Sequence, residues 1–236
     1  MDASGYVTLS RLSGLSREMD LVANNIANIG TQGYKSQGAV FSEFIADVPD
    51  GRSLSMARST AWTMNMTDGV LSQTGGTFDL GIQGAGFFQI ESPDGPRLTR
   101  AGSFTPSAAG ELVNMDGLRL LDAGGAPVFV PPNARDIGIA EDGTISADGV
   151  PVGQIGLWQP VDPLTLAYAG GNLLSAGDIE PASGGEIHQG FLEESNVDPV
   201  GEVARMIEVQ RAYEQGQSFL DAEDERLRNM IQTMGR

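Results

Sequence analysis

One histidine, His188, and no cysteine bound the metal and nucleophile chemistry open to this 236-residue chain. A multi-histidine or thiolate metal site is excluded. A serine–histidine–carboxylate triad would depend on one residue in a glycine-rich turn, so His188 reads as a loop histidine. Gly81, Gly84 and Gly86 are spaced G-x-x-G-x-G, the wrong order for a dinucleotide loop, and suit a tight hairpin turn instead. Thirty-one acidic residues would place some carboxylate pair at glycosidase separation by chance, and nothing singles one out. No catalytic residue, metal or cofactor is therefore expected. The more informative polar groups are Asn24, Asn25 and Asn28, which flank the apolar run Met19, Val22 and Ile26. An amide beside such a seam can hydrogen-bond a neighbouring helix and set its register. Asparagine also caps a fraying helix end, and the spacing leaves both readings open.

The elements that position these groups are marked by glycine and proline. All twelve prolines lie between Pro49 and Pro199, and twenty-seven of the thirty-two glycines between Gly30 and Gly190. The flanks carry heptad stripes. Leu12, Leu15, Met19, Val22, Ile26 and Ile29 alternate in steps of three and four, and Met206, Tyr213, Leu220, Leu227 and Met234 recur every seven residues. Such stripes are the seams of helices that pack on other helices. The first helix is expected from about Ser4 to Ile29, stopped by Gly30 in a left-handed conformation, with Gly33 in the turn that follows. The last begins at Asp198, a good N-cap, with Pro199 at the first helical position, and runs to about Met234. Its seam is thin, with Gln210, Gln217 and Asp224 at the alternate heptad positions. Arg211 and Tyr213 are placed to reach neighbouring subunits, although spacing is equally consistent with a solvated Arg211.

Between the helices, residues 31–76 read as an extended, strand-rich connector and residues 77–190 as an antiparallel β domain, sandwich or barrel-like. Asp-Gly pairs at 50–51, 68–69, 94–95, 116–117, 142–143 and 148–149 suit two-residue hairpin turns and punctuate short strand-type runs. Residues 1–30 and 191–236 then supply the two halves of a helical core. The fold class is α+β in several parts: N- and C-terminal helices pair as a coiled-coil-like core, and a central antiparallel β domain lies between them.

A magnitude bears on whether the ends stand alone. Six seam side chains of the first helix contribute about 9–18 kcal/mol if fully buried. Ordering its roughly 26 backbone units costs on the order of 1–2 kcal/mol each. The helices are therefore expected to be mobile in a monomer and ordered in an assembly. An intramolecular coiled coil closing one domain is the alternative.

The net charge of −17 argues against a nucleic-acid backbone or an anionic membrane surface as partner. Residues 37–190 carry eighteen acids and six bases, a net −12, so the acidic coat belongs mainly to the middle. No apolar run is long enough for a transmembrane helix. The opening Met-Asp-Ala-Ser-Gly-Tyr lacks a basic and an apolar region, so a cleaved secretory signal is not expected, and any export would use another route.

Four motifs carry a resemblance. Ala23-Asn24-Asn25-Ile26-Ala27-Asn28-Ile29-Gly30-Thr31-Gln32-Gly33-Tyr34-Lys35 resembles the N-terminal signature of flagellar basal-body rod and hook proteins at each fixed position. Leu192 to Pro199 and Met206 to Glu214 are similar to that family's C-terminal segments. Gly86-Phe87-Phe88 with Thr99-Arg100-Ala101-Gly102-Ser103-Phe104 resembles its central β signature. Within the family, Tyr6-Val7-Thr8-Leu9-Ser10 and the modest length look most like a proximal-rod member, ahead of a distal-rod one. The resemblance implies subunits exported unprocessed through the flagellar type III apparatus. It implies a hollow helical tube in the periplasmic space, with the terminal helices lining its inner core and the β domain outside. Other copies and neighbouring rod proteins would be the partners, with inter-subunit contacts at the asparagines. The reading from another class is a secreted acidic glycan hydrolase with helical oligomerisation ends.

Overall fold

The computed structural model describes residues 3–47 and 53–234. The Asp-Gly pair at 50–51 and the side chains of Leu227 and Met234 lie outside the described residues. The chain forms two compact units. One combines residues 1–27, 37–63 and 197–236, and the other residues 28–36 and 64–196.

The first unit holds α1 (Ala3–Ala27), α2 (Pro199–Met234) and a two-stranded sheet of β1 (Gln37–Asp47) and β2 (Ser53–Met64). Asp198 caps α2: its side chain accepts from the Val200 amide at 3.1 Å, and its carbonyl accepts from Glu202 at 3.0 Å. Pro199 follows at the first helical position, where its missing N–H leaves no bond unmade. The helices pack antiparallel. Ascending α1, Leu12 faces Gly216, Glu18 pairs with Arg205 at 2.6 Å, and Asn25 bonds Glu202. Leu12, Leu21, Val22 and Val209 are buried, whereas Leu15, Met19, Ile26, Met206, Tyr213 and Leu220 are half-buried. At about 1.5 Å per residue, the 36 residues of α2 outrun the 25 of α1 by roughly 16 Å.

The end of α1 departs from expectation. The helix stops at Ala27 and a turn closes on Asn28, whose carbonyl accepts from the Thr31 amide at 3.1 Å. Gly30 does not adopt positive φ; Gly33 does, at +64°. The asparagine side chain rather than the glycine handles the helix exit, because Thr31 Oγ1 donates to Asn28 Oδ1 at 3.0 Å.

The second unit is antiparallel β. Leu71–Gln73 (β3) pairs with Phe191–Glu193, and Leu80–Gln83 (β4) with Glu186–Gln189. The unit is thus wider than residues 77–190, since its outermost pairing uses segments beyond both limits. Phe87–Ser92 (β5) and Gly95–Thr99 (β6) form a hairpin at the centre of a six-stranded sheet. Every β5 residue from Phe87 to Ile90 is buried. Alternation sends Phe88 and Ile90 into a core with Leu80, Ile82, Phe104 and Leu120, and Phe87 into a second with Leu98, Leu166 and Leu174. A strand covered on both faces accounts for the unbroken Phe-Phe-Gln-Ile run.

The Asp-Gly pairs behave unequally. Among the described pairs, only at Asp148 and Gly149 do both residues take positive φ, +48° and +80°. At Gly95, Gly117 and Gly143 the glycine alone does, which is the pattern of a turn followed by one left-handed residue. Asp68-Gly69 is not a hairpin, as Gly69 is absent from the positive-φ positions and its amide bonds Glu193.

Candidate functional site

The densest chemistry in the β unit is a buried ion cluster. Lys35, Arg100 and Glu193 are each 2% exposed or less. The Lys35 ammonium donates to Glu193 Oε1 at 2.7 Å and to the Thr67 carbonyl at 2.7 Å. Arg100 Nη1 donates to Glu193 Oε2 at 3.0 Å, and Nη2 donates to the Gly84 carbonyl at 2.6 Å. Asp68, half exposed, stands 3.4 Å from Arg100 and 3.9 Å from Lys35, so two cations face two carboxylates. The Gly69 amide adds a third donor to Glu193, at 2.8 Å. The Arg100 guanidinium also lies 5.2 Å over the Phe87 ring, a cation–π contact. Burial first, then the nearby Arg100 cation, pushes the Lys35 ammonium below its ordinary range, against the pull of Glu193 and Asp68.

The backbone around the cluster is fixed as tightly. The Gly33 amide donates to the Glu193 carbonyl at 2.7 Å, and a Cβ at Gly33 would lie 2.3 Å from the Arg100 carbonyl carbon. The Tyr34 ring stacks on Tyr168 at 5.1 Å. The Tyr168 hydroxyl donates to the Lys35 carbonyl and accepts from its amide, at 3.0 and 2.9 Å. Burial raises that phenol well above its usual range. Asn196 Oδ1 accepts from the Ser36 amide at 2.7 Å, and its Nδ2 donates to the Asn65 and Thr67 carbonyls, both at 2.9 Å.

Chemically, this arrangement binds chain to chain rather than substrate. Both Glu193 oxygens are occupied and sealed from solvent, so the residue is not placed as a nucleophile or general acid. Among the described residues, no group of three or more His, Cys, Asp or Glu is placed to hold a metal. His188 is tied to Gln83, 2.9 Å away.

In the helical unit, Asn25 is 1% exposed. It clamps the start of β1: its Oδ1 accepts from the Gln37 amide and its Nδ2 donates to the Gln37 carbonyl, both at 2.9 Å. The same Nδ2 donates to Glu202 at 3.0 Å. Asn24 is exposed, and Asn28 and Ile29 are half-buried. Gln210 and Arg211 are exposed, Gln210 bonding Glu214 along its own helix at 3.1 Å. Tyr213 and Leu220 line a groove with Leu9, Leu12 and Arg17. Val203, Ile207 and Phe219, outside the heptad of Met206, are 45–49% exposed.

Sequence reasoning did not assemble Lys35, Arg100, Glu193, Asp68, Asn196 and Tyr168. One signal was present: Lys35 is the single lysine in a chain whose other thirteen bases are arginine. A compact ammonium fits a cage that a planar guanidinium fork does not.

Similarity to known proteins follows these same segments. The family models described as "Flagella basal body rod protein", "Flagellar hook protein FlgE/F/G D1 domain" and "Flagellar basal body rod FlgEFG protein C-terminal" match residues 6–35, 81–147 and 188–233. The flagellar basal-body rod protein FlgF of Caulobacter vibrioides is 39% identical over 243 aligned residues, covering 100% of this chain and 99% of that one. The FlgF of Mesorhizobium japonicum is 36% identical, again over 100% and 99%. The flagellar basal-body rod protein FlgG of Agrobacterium fabrum is 34% identical over 88% of this chain and 90% of its own.

Proposed function

The chain belongs to the family of flagellar basal-body rod proteins, and we propose that its two terminal helices build it into the proximal part of the rod. It is a structural subunit, not an enzyme. The FlgF relatives align along the whole chain and support the proximal reading; a distal-rod place is the second reading.

The observation that carries the mechanism is the two-sidedness of α2. One side packs on α1 through Val209 and Gly216, while Val203, Ile207 and Phe219 remain exposed on the same helix. A helix pair with apolar side chains still facing water is a unit that further helices complete. In a hollow tube, α1 and α2 of each subunit pair as a coiled-coil-like stave, and the seam and surface residues meet staves of other copies and of neighbouring rod proteins. The acidic β unit faces outward, in the periplasmic space. The subunit arrives through the flagellar type III export apparatus, a route that suits a chain without cysteine, since no disulfide impedes threading. Among the described residues, no helix is long and apolar enough to cross a membrane.

Replacing Ile207 or Phe219 by Asp tests this. Both sites are exposed, so monomer stability should change by no more than about 0.5 kcal/mol. Basal bodies purified from cells carrying either variant should lack the subunit, and motility should be lost. Normal incorporation of both variants would contradict the proposal.

A further inference from the structure

The three groups of the buried cluster come from distant parts of the chain. Glu193 is 158 residues from Lys35 and 93 from Arg100. Among the described residues, Glu193 is the only buried acid. A chain folding without residues 191–196 would bury two like charges with only the half-exposed Asp68 against them. Burial of an unpaired ion carries a penalty of several kcal/mol, and like charges add to it. The same six residues also close backbone groups: Phe191–Glu193 pairs with β3, the Glu193 carbonyl accepts from Gly33, and Asn196 takes the Ser36 amide.

We infer that Glu193 is a closing latch: the β unit reaches its native packing only when residues 191–196 dock, so folding waits for nearly the whole chain. The latch rests on the geometry of the β unit alone. Its use, keeping the subunit threadable until its last segment has emerged, rests on the rod reading, and failure of that reading would leave the folding result untouched.

Refolding of the full-length chain from denaturant tests it. Pulses of amide hydrogen exchange and of an amine-acylating reagent, read by mass spectrometry, follow β5, β6, residues 191–196 and the single lysine. In the unaltered protein, all four should gain protection at one rate. Glu193→Gln should lower the folded-to-unfolded ratio about 100-fold or more, whether read as a shifted midpoint or as failure to fold. Adding Lys35→Met restores charge balance, leaving Arg100 opposite Asp68. That double variant should regain most of the loss, and its β5 and β6 amides should be protected about tenfold sooner than residues 191–196. Early protection of β5 and β6 in the unaltered chain would overturn the latch. So would unchanged stability in Glu193→Gln, or a double variant no more stable than the single one.

Discussion

Gly30 and Gly33 stand three residues apart and make different demands on the backbone. Gly30 has open space around its Cα and lacks positive φ, so Gly30→Ala should stabilise by about 0.4–1 kcal/mol through the unfolded chain. Gly33 combines positive φ with an Arg100 carbonyl carbon that a methyl group at this position would approach to 2.3 Å. Gly33→Ala should therefore cost about 2 kcal/mol or more. Denaturant midpoints of the two variants check both signs. The sequence pointed to both glycines as turn residues without ranking them, because a close approach by a segment far along the chain leaves no local trace. The ion cluster was hidden for the same reason. Lys35, Arg100 and Glu193 each sit inside a recognisable motif, yet nothing in a linear string says that the three motifs share one cavity.

At the scale of elements, punctuation was legible and pairing was not. Pro199 behind Asp198 located the start of α2 to the residue, since a proline with preset φ after a capping carboxylate has few other uses. Asp-Gly pairs at 94–95, 142–143 and 148–149 each mark the turn between two successive strands, but strand order across the six-stranded sheet depends on returns such as Leu157–Pro160 beside β5, which no local signal encodes. The α2 heptad picked Met206, Tyr213 and Leu220, which are half-buried, and passed over Val203, Ile207 and Phe219, because a single stripe describes one face of a helix that carries apolar groups on several sides. Asn25 is the polar member of the helical unit on which most depends. Asn25→Asp keeps its shape but removes the donor to the Gln37 carbonyl and sets a carboxylate against Glu202. It should cost about 3 kcal/mol, read by thermal or denaturant unfolding.

The whole molecule divides its labour between a β unit closed by its own buried charges and a helical unit with apolar residues left on its surface. The net charge of −17 keeps such a surface soluble before assembly. Overlap of the two long helices is incomplete, as α2 continues past the start of α1 with Met230 and Ile231 at 49% and 71% exposure. In the proposed tube, those last turns, like the side chains of Ile207 and Phe219, would gain neighbouring helices that a lone chain does not supply. The most direct measurement is a cryo-electron microscopy map of the intact basal body, with side chains traced in the rod. The expected result is α1 and α2 of this subunit paired along the wall of the central channel, with Ile207 and Phe219 packed on helices of adjacent subunits and the β unit outside. A rod lacking the chain, or one in which the β unit lines the channel and the helices stand free, would contradict it.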